Sequence, residues 1–406
     1  LYEQKINFDY LIIFNQHIRY GKHHIDNKDL ISVTNVLKYY ALAQGIHVDI
    51  FEKKICEYLD CKYAVTVTSA TAGLHLASKV LGLNKNNHLI TSSISFVSSA
   101  NVAGFLNSKV FFTDIDSNVC MCPESLEKVL KKNKKIKVVI PVHFSGVSCN
   151  MVKIKKICDK YNVAIVEDSA HAFGAKYRNG SMIGSCKYSS MSVFSFHPVK
   201  SIATGEGGVI TTNSRAIYLK LLRLRSHGIN KLDEKLLNKK LAYTNNKKNP
   251  WYYEMQELGF HYRLNDIQAS LGISQLEKID QFMLKRKNIC LKYDLEFNKF
   301  INCHPIHLNN RINSSNHLYI LRINFSNISY DRLELMNELK GRGITTQVHY
   351  IPIPFHPYYA SKKLNNQIKI PNATKYYNEC LSIPLFYDLT NSMQDKIIFE
   401  FKRLVG

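Results

Sequence analysis

The sequence lacks the features that define several large protein classes. No run of about 18 uninterrupted apolar residues occurs, so a membrane-spanning helix is not expected. The start of the chain does not have the basic, then apolar, then small-residue order of a secretory signal. The 10 cysteines are scattered, without CxxC pairs or a histidine partner at zinc-finger spacing. We therefore predict reduced thiols in a cytoplasmic enzyme, with neither a disulfide framework nor a metal site.

Acidic residues are scarce beside basic ones, 32 against 54, which gives a formal net charge of +22. Such a charge raises the hypothesis of nucleic-acid binding. The lysines are dispersed, however, and a run such as KKNKKIK (131–137) resembles a solvated helix end. A GxGxxG dinucleotide fingerprint is also missing, since GEGG (205–208) does not match its spacing. We predict that the charge attracts a small anionic substrate and that no nucleic acid is bound.

What the first half of the chain does contain is a regular alternation of strand-like and helical patterns. Seven short, mostly β-branched runs are apolar on both faces, as strands covered by helices on both sides must be. They are YAVTV (63–67), HLITS (88–92), VFFTD (110–114), KVVIPV (137–142), VAIVE (163–167), MSVFSF (191–196) and GVITT (208–212). This pattern predicts an α/β domain with a mostly parallel sheet, whose ligands bind at the carboxyl ends of the strands.

The pattern changes after Thr212. A helix is predicted over 217–229, a polar excursion over 230–249, and one long helix over 265–297 that bridges two domains. Strand-like 317–325, a helical segment over 330–343 and the stretch TTQVHYIPI (345–353) indicate a small α+β domain. We predict an N-terminal extension at residues 1–17, a large domain at 18–280 and a small C-terminal domain at 281–406.

Two charged residues stand at the ends of predicted buried strands. Lys200 lies in VFSFHPVKSIATGEGG (193–208), where it either reaches solvent or is kept for its amine chemistry. Asp168 follows VAIV and could equally cap a helix. Taken together they favour a site for pyridoxal 5'-phosphate: the lysine forms the Schiff base and the aspartate keeps the pyridine nitrogen protonated. His171 could face the phenolic oxygen, although a lone histidine is more often structural.

A phosphate-bearing cofactor also needs an anion cradle, and TVTSATAGLHLA (66–77) has the required order of strand, small-residue turn and helix. We expect the amides of Thr71 and Ala72 to be free at the helix N-terminus, with hydroxyls adding donors. Ser195 is close enough in sequence to Lys200 to reach the same phosphate. Phe96 is a candidate for stacking on the ring, and core packing is its alternative role.

These segments together resemble the DegT-type sugar aminotransferases, which have the fold of type I pyridoxal-phosphate enzymes. The resemblance runs in order from about Tyr20 to Leu404 and is carried by TSATAGLHLA, VEDSAHAFGAKY, SVFSFHPVKSIATGEGGVITT, LLRLRSHGI, NPWYYEMQELGFHYRLNDIQASLGISQLEKID and TQVHYIPI. SFHPVK, RSHGI, PWYYEMQELG and NHLYILRI are most similar to members that aminate a UDP-linked 4-keto-6-deoxy sugar with L-glutamate as donor. The resemblance implies this activity and this cofactor.

The resemblance also implies roles for individual residues. Lys200 matches the family's Schiff-base lysine, and Asp168 matches the partner of the pyridinium nitrogen. His171 matches the contact to the phenolic oxygen, and Phe96 matches the aromatic residue that stacks on the ring. The phosphate contacts are matched by Thr71, Ala72 and Ser195. Glu206 occupies an acidic position near the cofactor edge, where a structural turn role is equally open. In GFHYR (259–263), His261 replaces an asparagine that reaches the partner subunit's phosphate. A homodimer with shared active sites is therefore expected.

Other functions are compatible with this fold. The dehydratase branch of the family has histidine at the lysine position, so Lys200 argues against it. Sugar aminotransferases that act on dTDP-, GDP- or other UDP-linked sugars are the realistic alternative. A regulatory or binding protein that has kept the fold is a third interpretation, and the presence of both Lys200 and Asp168 argues against it.

Overall fold

The computed structural model describes residues 17–230, 236–361 and 369–406. Of the predicted N-terminal extension, residues 1–16 lie outside the described residues, as do residues 231–235 of the predicted polar excursion. Within the described ranges, no helix combines the length and the apolar character needed to cross a bilayer.

A seven-stranded sheet forms the centre of the larger part of the molecule. Its strands are β1 (Tyr63–Val67), β2 (His88–Ser92), β3 (Lys109–Thr113), β4 (Ile136–Ile140), β5 (Ala164–Asp168), β6 (Met191–Ser195) and β7 (Gly208–Thr212), in the order β1-β7-β6-β5-β4-β2-β3. Only β7 runs against its neighbours; the pairs from β6 across to β3 are parallel. The predicted fold class is confirmed, and every strand lies within two residues of its predicted bounds.

Helices cover both faces of this sheet. They are α1 (Asn27–Tyr39), α2 (Ile46–Leu59), α3 (Ala70–Val80), α4 (Ser98–Phe105), α5 (Pro123–Lys132), α6 (Met151–Lys160) and α7 (Arg215–Arg225). Adjacent strand residues belong to different cores: Ile90 and Val139 pack on one side, whereas Leu89 and Val138 pack on the other. This alternation explains why the strand sequences are apolar at successive positions.

Short elements follow α7 and precede the next long helices. They are β8 (Ile229–Asn230), α8 (Lys239–Ala242), β9 (Tyr243–Thr244), β10 (Lys247–Lys248) and β11 (Glu254–Met255), which pair as β8 with β11 and β9 with β10. The helix predicted over 217–229 instead ends at Arg225, and Gly228 follows with a φ of +72°. Its amide donates back to the Arg223 carbonyl over 2.9 Å, which closes the last helical turn.

The single long helix predicted over 265–297 is wrong: two helices occupy this range, α9 (Asp266–Leu276) and α10 (Ile279–Phe297). At the break, Lys278 leaves helical geometry with φ −105° and ψ 1°. Its Nζ lies 2.6 Å from Asp29 and 2.8 Å from Asp26, at the start of α1. The break therefore coincides with ion pairs that Lys278 makes with a distant part of the chain. The helical periodicity of the segment does not reveal this break.

The C-terminal part contains a small antiparallel sheet with helices against it. Its elements are β12 (Cys303–Pro305), β13 (Tyr319–Ile323), α11 (Arg332–Gly341), α12 (Pro357–Ala360), α13 (Pro371–Glu379), β14 (Cys380–Ile383) and α14 (Asn391–Val405). The stretch 345–353 forms no strand, and only Gln347 bridges to Ser382 of β14. Ile18, near the beginning of the described residues, packs into the core of this part. The proposed domain boundaries stay a prediction.

Candidate active site

The predicted site residues meet at one edge of the main sheet. Asp168 is the last residue of β5, and Ser195 is the last residue of the neighbouring β6. Lys200 lies in the loop that connects β6 to β7, and the turn between β1 and α3 reaches the same edge because β7 pairs with both β1 and β6. This is the carboxyl edge of the parallel strands, where open α/β sheets bind their ligands and where the sequence predicts the site.

Asp168 is a buried carboxylate held by two donors. The Ser99 hydroxyl donates to Oδ2 over 2.5 Å, and the Ala170 amide donates to Oδ1 over 3.1 Å. Burial raises the pKa of Asp168, and the Ser99 hydrogen bond, the Ala170 hydrogen bond and the charge on Lys200 oppose that rise. Each oxygen keeps unused acceptor capacity, so the carboxylate is oriented but can still receive a further N–H donor.

Lys200 stands in a turn, where its amide donates to the His197 carbonyl over 2.9 Å. The side chain is half-buried, and the surrounding protein lowers the pKa of its amine to about 8, because desolvation outweighs the attraction of Asp168. Within the described chain, the two groups interact through space and no ion pair forms between them. A substantial fraction of neutral amine therefore exists near neutral pH.

His171 is buried between the sheet edge and the C-terminal part. The Ser145 amide donates to His171 Nδ1 over 3.3 Å, so the proton of the neutral ring is on Nε2, which lies 3.4 Å from the Tyr350 hydroxyl. Burial, with Lys200 as a second cause, holds the pKa of His171 well below its usual value. A neutral ring with Nε2–H available is the form that donates a hydrogen bond to an oxygen.

The β1–α3 turn builds the expected anion cradle with one difference. The Ser69 hydroxyl accepts the Ala72 amide over 3.2 Å, so the expectation that this amide is free is wrong, because the serine caps the helix. Among the described contacts, the amides of Ala70 and Thr71 have no protein acceptor. Two donors and the positive end of α3 therefore point at the edge where a phosphate would lie.

The remaining predicted residues differ in position. Ser195 is buried at the end of β6, and its hydroxyl accepts the His197 amide over 3.4 Å. Phe96 is 58% exposed, which contradicts core packing and leaves an aromatic face open toward Tyr350, whose ring centroid is 6.2 Å away. His261 lies on the surface, with its ring 5.3 Å from that of His227. Within the single chain, no described contact joins His261 to Lys200 or Asp168.

Sequence reasoning missed four residues of this site: Ser99, His317, His349 and Tyr350. The rings of His171 and His317 are 4.3 Å apart, and His317 Nδ1 is buried without a partner in the described structure. Burial lowers the pKa values of His317 and His349 strongly, the latter to about 3. The segment TQVHYIPI contains His349 and Tyr350, and the segment NHLYILRI contains His317. Nothing in the spacing of these residues indicates that the C-terminal part returns to the sheet edge.

The assembled groups fit pyridoxal phosphate in their chemistry. Free amides at a helix N-terminus suit a phosphate, a buried carboxylate with spare acceptor capacity suits a protonated ring nitrogen, and an uncovered phenyl face suits an aromatic ring. An amine without an ion-pair partner in the described chain suits an aldehyde. No group of three or more metal-binding side chains occurs among the residues that the structure describes.

Comparison with known proteins points the same way. The model of the DegT/DnrJ/EryC1/StrS aminotransferase family matches residues 23–402. A UDP-4-amino-4,6-dideoxy-N-acetyl-beta-L-altrosamine transaminase of Campylobacter jejuni is 37% identical over 373 residues, 92% of this chain and 93% of the relative. The structure of Helicobacter pylori PseC, an aminotransferase of pseudaminic acid biosynthesis, superposes with a TM-score of 0.84 at 30% identity, covering 96% and 99% of the two chains. The PLP form of the sugar aminotransferase Spr1654 of Streptococcus pneumoniae gives 0.84 at 26% identity, with 95% and 98% covered.

Proposed function

Because the chain belongs to the DegT/DnrJ/EryC1/StrS aminotransferase family, we propose that it transfers an amino group from L-glutamate to the C4 ketone of a UDP-linked 4-keto-6-deoxy-N-acetyl-hexose. The product is UDP-4-amino-4,6-dideoxy-N-acetyl-β-L-altrosamine. Support for this substrate comes from the similarity to the Campylobacter jejuni transaminase over nearly the whole of both chains. The excess of basic residues suits a substrate that carries a diphosphate.

The cofactor of the proposed reaction is pyridoxal 5'-phosphate, which supplies an electron sink for the carbanion when it is bound. Lys200 would hold its aldehyde carbon, and Asp168 would accept the hydrogen bond of the ring N–H. His171 Nε2 would donate to the phenolic oxygen, and Phe96 would lie against the ring. Thr71 and Ser195 would contact the phosphate, with Ala72 in the helical turn that Ser69 caps.

Lys200 is proposed to move the proton during each half-reaction. Its Nζ would take a proton from the α-carbon of the amino donor and would deliver that proton to the former aldehyde carbon of the cofactor. This role requires an amine that changes protonation state easily, and a pKa lowered to about 8 supports it. At the opposite end of the site, burial raises the pKa of Asp168, and the Ser99 and Ala170 hydrogen bonds oppose that rise by stabilising the ionised form.

The competent unit is proposed to be a homodimer in which His261 completes the site of the other subunit. Its surface position and its lack of described contact with Lys200 suit a residue that acts across an interface. The nearby side chains of Trp251 and Leu258 are 73% and 72% exposed, an exposure that a partner subunit would cover.

The observation that carries the proposal is the position of Asp168 at the end of β5 and of Lys200 in the loop after the neighbouring β6, unpaired but close enough to shift each other's pKa. The test is to incubate the purified protein with glutamate and a panel of UDP-, dTDP- and GDP-linked keto-sugars and to follow the products by mass. We expect one amine-for-ketone exchange with the UDP-linked 4-keto-6-deoxy-N-acetyl-hexose. Exchange with only a dTDP or GDP sugar would overturn the substrate, and no exchange with any sugar would overturn the proposed reaction.

A further inference from the structure

Two buried serines stand beside Asp168, in the turn that leads from β2 into α4. Ser95 and Ser99 are both enclosed by the surrounding protein. Ser95 Oγ lies 2.9 Å from Ser99 Oγ, and Ser99 Oγ lies 2.5 Å from Asp168 Oδ2. The two hydroxyls therefore form a continuous hydrogen-bonded chain, which we call the serine relay, that ends on the carboxylate.

The chemistry of the three groups determines the direction of the serine relay. An ionised carboxylate only accepts hydrogen bonds, so the hydroxyl proton of Ser99 points to Asp168. Because the Ser99 hydroxyl has a single proton, the hydrogen bond between the two serines must use the proton of Ser95. Ser95 therefore donates to Ser99, and Ser99 donates to Asp168. Each bond of such a chain polarises the next, which strengthens the one that reaches the carboxylate.

Asp168 depends on such donors because its surroundings favour the neutral form. Burial raises the pKa of Asp168, and the Ser99 hydrogen bond is the largest effect that opposes this rise. Smaller opposing effects come from the Ala170 amide, from Lys200 and from His143. A buried carboxylate that loses its main donor shifts toward the neutral form, so Ser99 has more influence on the ionisation of Asp168 than any of these other groups.

The turn that contains the serine relay also contains Phe96. The Ser99 amide donates to the Phe96 carbonyl over 3.4 Å, and the Asn101 amide donates to the Val97 carbonyl over 2.9 Å. The Tyr359 hydroxyl donates to Asn101 Oδ1 over 2.6 Å, which fastens α4 to the C-terminal part. One hydrogen-bonded turn therefore holds both the phenyl group proposed to lie against the cofactor ring and the hydroxyl that orients the carboxylate proposed to bind the ring nitrogen.

We propose that Ser95 and Ser99 are positioning residues whose relay keeps the Asp168 carboxylate ionised and correctly oriented to receive the N–H of the cofactor ring. This inference rests on the proposed function, because it concerns the group that makes the cofactor an electron sink. With the Ser99 hydroxyl on Oδ2 and the Ala170 amide on Oδ1, the plane of the carboxylate is fixed before the cofactor arrives. Little ordering is therefore needed on binding.

The first test follows the ionisation of Asp168 in the cofactor-free protein. Carbon-13 NMR of labelled aspartate reads it over a pH series, and Asp168→Asn identifies the signal. In Ser99→Ala the titration should move to higher pH, by about 10- to 100-fold in proton concentration, the usual effect of losing a hydrogen bond to a charged group. Ser95→Ala should move it in the same direction by less, and the double variant should match Ser99→Ala, because Ser95 acts through Ser99.

The other titratable groups that act on Asp168 are Lys200 and His143, and the hydroxyl of Tyr350 responds to its charge. All three are kept in the serine variants, so the change in the titration reports the relay. Ser95→Ala removes the first donor without touching the contact to the carboxylate, so the titration can be followed even if Ser99→Ala does not fold.

The second test uses the holoenzyme and separates its two half-reactions. Loss of the cofactor's visible absorbance on adding L-glutamate reports the donor half, and its return on adding the keto-sugar reports the acceptor half. Both halves need the electron sink, so Ser99→Ala should slow both by the same factor, about 10- to 100-fold, with the two KM values unchanged. In an Asp168→Asn background the same substitution should cost less than about 2-fold more, because the relay acts through the carboxylate.

Ser98→Ala is the matched control, since Ser98 is a buried serine of the same turn whose hydroxyl has no hydrogen bond to the relay among the described contacts. It should leave the Asp168 titration and both half-reactions unchanged. An unmoved titration in folded Ser99→Ala, unequal losses in the two half-reactions, or the same loss with and without the Asp168 carboxylate would each overturn the proposal. Absence of any amino transfer by the wild type would instead refute the proposed function, while the titration would still test the relay.

Discussion

At the scale of single residues, burial acts on Lys200 and Asp168 in opposite directions and favours the uncharged form of each. It lowers the pKa of the amine to about 8 and raises that of the carboxyl. Each charge partly offsets the effect on the other. The amine of Lys200 therefore changes protonation state readily near neutral pH, which suits a lysine that acts both as a covalent anchor and as a base.

The first prediction concerns Lys200→Ala. We expect this variant to lose turnover by at least about 10³-fold, since both the covalent anchor and the proton carrier are removed. Folding should be unaffected, because the side chain is half-buried and makes no described ion pair. Amino transfer measured by mass, together with thermal unfolding, checks both parts. Transamination at the wild-type rate would refute the assignment of Lys200.

The second prediction concerns pH. The neutral amine is the form that attacks an aldehyde, so the rate at which the cofactor-free protein captures pyridoxal phosphate should rise with pH and level off above about 8. Asp168 raises the pKa of Lys200, so in Asp168→Asn the profile should shift to lower pH. Stopped-flow absorbance over a pH series measures both profiles. A shift to higher pH in Asp168→Asn would contradict the electrostatic coupling between the two groups.

At the scale of elements, the anion cradle depends on a close approach of backbones. Gly208 is the first residue of β7 and pairs with Val67 of β1 and Ser195 of β6. A Cβ atom on it would lie 2.7 Å from the Ala70 nitrogen and 2.8 Å from the Phe194 oxygen. Both neighbours are backbone atoms that cannot turn aside, so a glycine here lets the β1–α3 turn pack closely against β6 and β7.

The third prediction follows for Gly208→Ala. The added methyl should push the Ser69–Ala70 turn away from β6, destabilise the protein by about 1–3 kcal/mol and weaken cofactor binding about 10-fold or more. Gly341→Ala is the control, because a Cβ atom added there would meet nothing within 4 Å and its helical location tolerates alanine. Thermal unfolding and cofactor titration of both variants are the measurements. Equal affinity in Gly208→Ala and wild type would argue that the turn does not bind the phosphate.

At the scale of the whole molecule, the site as described in one chain contains groups proposed to contact the ring, the aldehyde and part of the phosphate of the cofactor. His261 stays at the surface, near the exposed apolar side chains of Trp251 and Leu258. A subunit interface beside the active site would account both for the surface position of His261 and for the exposed apolar side chains.

The fourth prediction uses mixed subunits. If His261 serves the other subunit, a dimer of one Lys200→Ala chain and one His261→Ala chain contains one site with both residues intact and one site with neither. Mixing the two weak variants should therefore restore activity, to about one quarter of wild type when half of the dimers are hybrids. Sedimentation of the mixture confirms exchange. If hybrids form without recovery, or if a fully active monomer is found, the shared-site proposal fails.

The sequence by itself determined the sheet, because strand runs that are apolar at successive residues can be buried only between two layers of helices. It also placed Asp168 and Lys200 at strand ends, where chain direction brings them to one edge. The capping of Ala72 by Ser69 could have been predicted in the same way, since serine is a frequent helix cap.

Only the tertiary structure decided the rest. The break at Lys278 coincides with an ion pair to Asp29 of α1, 249 positions away along the chain, and helical periodicity carries no signal of it. His317, His349 and Tyr350 reach the sheet edge because the C-terminal part folds back onto it. Arg286, within LKRKN, has the appearance of one more solvated charge. It is buried instead, with its Nη1 donating to the carbonyls of His317 and Leu385, and a local sequence does not encode which distant atoms will surround a side chain.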